Sequence, residues 1–297
     1  MERALDRLVT GDGPFTISEC LECRYGVTAP QLRGAELDRY YGGEYFGGFY
    51  DDGSLPASGV LERARGRFRR IAARRRFRHA PYAVSGLEPG RVLDVGCGNG
   101  DLLAHYVALG WEAYGIDTAP RAVAAARRRG LSVHEGTFAD RPWGVVRFDL
   151  IVFSHSLEHI PEPLDELRLA VESLAPRGRL AIALPNWSCW QRYLFGARWF
   201  HLDLPRHLQH FSPRALVVAA DLLGLEVVEV GTSSTIISGA YSIHYVLAGR
   251  WTPGWKLWLS YALGVAAFPP LALVNRLTQG DCCYALLQVP SGDLQRL

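Results

Sequence analysis

Asp94, Gly96, Gly98, Gly100 and Asp117 have residue types and spacing that suit the binding of a charged nucleoside. Gly96, Gly98 and Gly100 form a G-x-G-x-G turn around Cys97, where missing side chains let the backbone approach a ligand. Dinucleotide sites use G-x-G-x-x-G to set a helix N-terminus on a pyrophosphate, and an acid just ahead of the first glycine would repel that group. Asp94 stands there and suits a cofactor with a cationic amino group. Asp117, about seventeen residues beyond Gly100, is placed to accept both hydroxyls of a ribose. His155, His159, His207 and His210 are the candidates for moving a proton, since a neutral imidazole takes one near neutral pH.

The elements that position these residues follow from periodicity. Val92, Leu93 and Val95 read as a strand buried on both faces, and Asp101 onward continues at helical spacing. Glu112 to Ile116 is a second strand. Thr118 to Arg129 is a helix with Pro120 in its first turn, and Gly130 to His134 is a third strand. Phe148 to Phe153, the run ending at Pro185, Leu225 to Val230 and Tyr284 to Val289 supply four more strands. Helices are expected at Leu164 to Leu174 and Pro213 to Leu223. This alternation predicts a doubly wound α/β sheet.

The loop with its two acids, Leu157-Glu158-His159 after the fourth strand, and Leu174-Ala-Pro-Arg-Gly leading to Pro185-Asn186 resemble class I S-adenosylmethionine-dependent methyltransferases. The resemblance runs from about Arg91 to Asn186 and more loosely to Pro290. It implies a Rossmann-like, seven-stranded, mostly parallel sheet with helices on both faces and an antiparallel seventh strand. It also implies S-adenosylmethionine as cofactor, held by Asp94, Gly96, Cys97, Gly98, Gly100, Asp117, Thr118 and Ser154. The family often has an acid after the third strand for the adenine amine; here Thr137 and Phe138 follow Gly136, so Thr137 would bond the adenine or Phe138 stack on it. Asp203-Leu-Pro-Arg206-His207-Leu-Gln-His210-Phe-Ser212 resembles the "DxPRHLxHFS" element of a branch acting on small molecules and glycans.

A sulfonium methyl is already activated, so the protein mainly aligns a nucleophile and accepts one proton. The expected activity is methyl transfer to a small-molecule acceptor (natural product, sugar or lipid-linked intermediate), O-methylation being favoured over N-methylation. His207 ranks first among the bases, since it follows the fifth strand on the ligand side, while Ser212-Pro213 reads as a helix start that His210 could dress. The alternative is a cofactor-binding scaffold or regulatory protein without turnover.

The 297 residues are 48% hydrophobic, enough for a full core, and a net charge of +2 gives no argument for nucleic acid. Ser154-His-Ser-Leu157 also lacks the [DN]-P-P-[YF] pattern of base-amine methyltransferases. Residues 1–60 read as an aromatic, glycine-rich extension or lid, with Tyr40-Tyr41 and Tyr45 to Tyr50. Residues 61–80 read as a basic amphipathic helix, and 81–297 as the catalytic domain with insertions at 186–212 and 231–282. The charge-free 257–275 stretch is just long enough to span a bilayer, but Pro269-Pro270 interrupts it and it lies between two strands of one sheet. Peripheral membrane contact through 61–80 and 257–275 stays open, beside an apolar lid or a dimer contact. The charged N-terminus lacks an apolar signal core, so a cytoplasmic protein with reduced thiols is expected. Cys20-Leu-Glu-Cys23 has no upstream partner pair and Cys282-Cys283 are awkward co-ligands, so no metal site is assigned.

Overall fold

The computed structural model describes residues 2–4, 13–41, 87–234, 236–250, 255–267, 271–277 and 279–290. The expected basic helix at 61–80 and the aromatic run from Tyr45 to Tyr50 lie outside them.

Two sheets form. β1 (Glu2–Ala4), β2 (Phe15–Glu19) and β3 (Gly26–Ala29) come from the N-terminal extension, followed by α1 (Ala35–Asp38). The main sheet takes β4 (Arg91–Val95), β5 (Glu112–Asp117), β6 (Ser132–Glu135), β7 (Phe148–Ser154) and β8 (Leu174–Pro185). Between them run α2 (Asp101–Ala108), α3 (Pro120–Arg128) and α4 (Pro163–Ser173). The first insertion holds α5 (Trp190–Phe195) and β9 (Gln209–His210), and α6 (Pro213–Leu222) leads to β10 (Glu226–Ser233). The second insertion holds α7 (Ile236–Ala248), α8 (Trp255–Ala267) and α9 (Leu271–Arg276), and β11 (Cys282–Gln288) closes the sheet.

The seven strands lie in the order β10-β11-β8-β7-β4-β5-β6, with β11 antiparallel to both neighbours and the rest parallel. The expected seven-stranded Rossmann-like sheet is present. β4 and β7 are central, and Val92, Leu93, Phe148, Leu150, Ile151, Val152 and Phe153 are fully buried between helices on the two faces. Each such side chain stabilises the fold by about 1.5–3 kcal/mol relative to exposure, which explains the near-continuous apolar runs. The pattern misplaced some ends: Leu174 opens β8 instead of closing a helix, and β10 continues past Val230 to Ser233.

The extension and the first insertion meet, which the sequence pattern did not show. β9 adds to β3 through Gly26↔His210 and Val27↔Gln209, giving an antiparallel sheet ordered β1-β2-β3-β9. Alternation on β2 turns Phe15 and Ile17 inward, where they join Tyr40, Trp187, Trp199, Leu202 and Leu204 in a second core. Described residues of the expected lid are thus built into the fold, with Tyr40 fully buried. In the second insertion α7 and α8 pack closely, a Cβ at Gly264 falling 3.3 Å from that of Ala240. Among the described residues no helix is long and apolar enough to cross a membrane.

Candidate active site

The ends of β4, β5, β7 and β8 converge on one edge of the sheet. The glycine turn starts there, with Gly96, Gly98 and Gly100 all at positive φ. Gly96 N–H and Cys97 N–H donate to Ile116 O, and Gly98 N–H donates to Asp117 Oδ2 at 2.8 Å. The other Asp117 oxygen accepts from Ala119 N–H at 2.8 Å, so this carboxylate pins the loop while each oxygen keeps further acceptor capacity. A Cβ at Gly96 would fall 2.5 Å from that of Ser156, which places the segment after β7 directly against the loop.

Asp94 is buried beneath this loop, and Oδ1 has no hydrogen-bond partner. Burial, reinforced by the nearby Asp117, pushes its carboxyl up to about 8. Burial also pushes Asp117 above the usual range, against the pull of its two N–H donors. A buried, unpartnered carboxyl of this kind fits a cationic amino group. Cys97 and Phe138 differ from expectation. The Cys97 side chain packs into a core with Leu103, Val123, Ala126 and Val133, leaving only its backbone at the loop surface. Phe138 is 1% exposed and lies edge-on to Trp143 and stacked on Phe153, so its ring has no face for adenine. Thr137 is exposed, its N–H donating to Asp140 Oδ2 at 2.7 Å, so the acid three residues on closes a local cap. Thr118 is exposed after Asp117, and Ser154 is half-buried at the end of β7.

The histidines divide between two environments. His155, in the left-handed region at φ 55°, follows β7 and donates its N–H to Ala183 O. Its Nδ1 lies 3.5 Å from Glu158 Oε1, and its side chain is 29% exposed against 2% for Glu158. Burial pushes the Glu158 carboxyl up, but the imidazoles of His155 and His159 outweigh that and hold it below its ordinary value. The buried Glu158 carboxyl thus stands directly behind an accessible imidazole. His159 Nδ1 sits 3.0 Å from the Tyr41 hydroxyl and 3.1 Å from Arg206 O, and its ring meets His207 edge-on.

His207 and His210 lie deeper. His207 Nδ1 is 2.9 Å from His201 O, and Nε2 faces Asp203 at 3.8 Å and Glu158 at 4.0 Å. Burial, then the neighbouring His159, His210 and His201, hold its pKa well below the usual imidazole value. His210 packs on Trp187 with Nε2 2.9 Å from the Thr28 hydroxyl, and burial with Arg192 nearby lowers it to about 3. It sits within the small sheet, between Thr28 of β3 and the Trp187 ring.

The surrounding element acts as a strap. Arg206, fully buried, chelates Asp203 through Nε and Nη2 and donates from Nη1 to Tyr40 O at 3.0 Å. Gln209 accepts from the Tyr25 hydroxyl and donates to Pro161 O. Ser212 caps α6 by accepting from Ala215 N–H and donates to Cys23 O. Cys20 and Cys23 flank the β2–β3 turn, and among the described residues no third metal-ligating side chain joins them. Two groups can bring three ligand atoms within 4.8 Å of one another: Glu158, His159 and His207, and His201, Asp281 and Cys282. The second was not anticipated, since its members come from segments with no shared motif.

A family model described as "Methyltransferase domain" matches residues 63–230. The ubiquinone biosynthesis O-methyltransferase of Aromatoleum aromaticum (strain DSM 19018 / LMG 30748 / EbN1) is 29% identical over 176 residues, 54% of this chain and 74% of that protein. That of Xanthomonas campestris pv. campestris (strain B100) is 34% identical over 137 residues, 42% of this chain and only 56% of the relative's length. A crystal structure of a SAM-dependent methyltransferase from Archaeoglobus fulgidus aligns with a TM-score of 0.51 at 19% identity, covering 77% of this chain and 99% of that one, a likeness of fold. With the model matching more than half of the chain over the glycine loop, both acids and the strands that carry them, the protein belongs to the S-adenosylmethionine-dependent methyltransferases.

Proposed function

We propose that this protein transfers the methyl group of S-adenosylmethionine to a hydroxyl of a small organic acceptor, with His155 as the proton acceptor. The observation that carries the reading is the pairing of an accessible His155 imidazole with the buried Glu158 carboxylate, on the segment that abuts Gly96. When bound, the cofactor supplies an electrophilic methyl. Asp94 would face its amino group, Gly96, Gly98 and Gly100 would give backbone room, and Asp117 would take the ribose hydroxyls beside Thr118 and Ser154. Glu158, 3.5 Å behind the His155 ring, would stabilise the imidazolium through its charge as the hydroxyl proton arrives. His159 and Tyr41 would border the acceptor, while His207 would serve as a neutral wall. An O-directed reaction and a small acceptor are supported by the names of the curated relatives, and the "DxPRHLxHFS" strap supports the small-molecule branch.

The test is S-adenosylhomocysteine release across catechols, simple phenols, methyl glycosides and matched amines. Release with a hydroxyl acceptor is expected, falling by roughly a hundredfold in His155→Ala while cofactor affinity holds. The loss should shrink for acidic phenols. Release with amines alone, or none with any acceptor, would defeat the reading.

A lesser feature bears on location. Trp255, Leu259 and Leu263 repeat every four residues on α8 and are all exposed. We infer that this stripe touches an anionic membrane surface peripherally.

A further inference from the structure

His201 comes from the first insertion, while Asp281 and Cys282 sit where the chain turns into β11, 80 residues later. The register Cys282↔Pro185 brings that turn to the end of β8, next to the segment bearing His201. Asn186 holds it in place, its N–H donating to Asp281 O at 2.9 Å and its side-chain amide to Gly280 O at 2.7 Å. One ligand atom from each of His201, Asp281 and Cys282 lies within 4.8 Å of the other two.

Asp281 is fully buried, and its Oδ2 stands 3.5 Å from His201 Nε2. That separation is long for N–H···O, which runs about 2.7–3.2 Å. Two ligands on a tetrahedral zinc ion, each about 2.0–2.1 Å from it, stand about 3.3–3.4 Å apart. The donors are an imidazole nitrogen, a carboxylate oxygen and a thiol sulfur. Magnesium and calcium prefer all-oxygen shells, whereas this mixed set suits a borderline-soft divalent ion. Charge agrees: a carboxylate and a thiolate together neutralise a dication at this partly buried site.

We infer that His201, Asp281 and Cys282 bind a divalent cation of the zinc class, with a fourth position left to water or another small ligand. Binding releases the Cys282 thiol proton, and any imidazolium proton, to solvent, with no change of oxidation state. The ion ties the first insertion to the start of β11. Its His201 ligand stacks on His155, centroids 6.2 Å apart at 13°, so the ion also steadies that ring. The inference concerns metal binding and stands apart from the methylation reading.

The test uses the full chain, stripped with chelator and titrated with Zn2+ against a chromogenic competitor, and in parallel with Co2+. One Zn2+ per chain with a Kd below about 1 μM is expected, and Co2+ should give a thiolate charge-transfer band. Cys282→Ser should weaken Zn2+ by roughly a hundredfold and abolish the band, while a Cys20→Ser, Cys23→Ser double variant keeps both. In the wild type, Zn2+ should protect Cys282 from alkylation as mapped on peptides, a readout free of any folding defect. Absence of tight Zn2+ binding, a band that survives Cys282→Ser, or a Cys282 that alkylates freely with Zn2+ bound would overturn the inference.

Discussion

Asp117→Asn is the sharpest perturbation of the proposed cofactor edge, because it changes charge and one acceptor while keeping shape. In the native protein one carboxylate oxygen takes Gly98 N–H and the other Ala119 N–H, each at 2.8 Å. An amide keeps one acceptor, so in either flip its NH2 group confronts a backbone N–H. One hydrogen bond to a charged group, about 1.5–3 kcal/mol, is then lost from the loop anchor. For a domain of this size that should lower the melting temperature by about 3–10 °C. The ribose loses a charged acceptor as well, and the same 1.5–3 kcal/mol corresponds to about a 10- to 150-fold weaker Kd. Calorimetric titration with S-adenosylhomocysteine, which binds without turnover, reads the second effect and thermal unfolding the first. A lowered melting temperature with unchanged affinity would mean that Asp117 only pins the loop, and the ribose assignment would be wrong.

Gly96→Ala should cost about 1–3 kcal/mol, since a Cβ there falls 2.5 Å from that of Ser156 at φ 74°, and thermal unfolding should show it even without ligand. Asp94, raised to about 8, gives a pH signature. The folded state holds a proton that the unfolded chain has lost, so its contribution is complete below the ordinary carboxyl range and falls as pH rises through 8. The lowered His207 and His210 act oppositely, losing stability as pH drops below 6.5. Between 6.5 and 8 the ligand-free protein should therefore lose stability at up to about 1.4 kcal/mol per pH unit, and Asp94→Asn should flatten that slope. An equal slope in the variant would place the titrating group elsewhere. Leu263→Glu should reduce co-sedimentation with anionic vesicles; no pelleting of wild type would dismiss the membrane contact.

The glycine turn and the two acids that flank it were legible because they are written locally. Strand, glycine turn, helix and second-strand acid follow one another within about thirty residues, and each step has its own pattern: an apolar run, positive-φ glycines, a helical period. The mostly parallel sheet and its antiparallel last strand were legible for the same reason, with Leu174 and Val230 misread because a strand end has no marker as sharp as a cap. Side-chain direction and long-range pairing were decided only by the tertiary structure. Phe138 turned inward because the core between α4 and β7 claimed its ring, and Thr137 closed a cap with Asp140. His207 and His210 had the right types and position for a base, yet the strap between β9 and Arg206 buries both, since satisfying Thr28, His201 and Asp203 takes precedence over exposure. In the sequence Glu158 stands only as part of a motif; its 2% exposure accompanies the strap over the loop after β7, where Leu208 N–H donates to Glu158 O. His201, Asp281 and Cys282 share no spacing at all. They meet because an antiparallel strand must enter the sheet at the edge where its parallel neighbour leaves it.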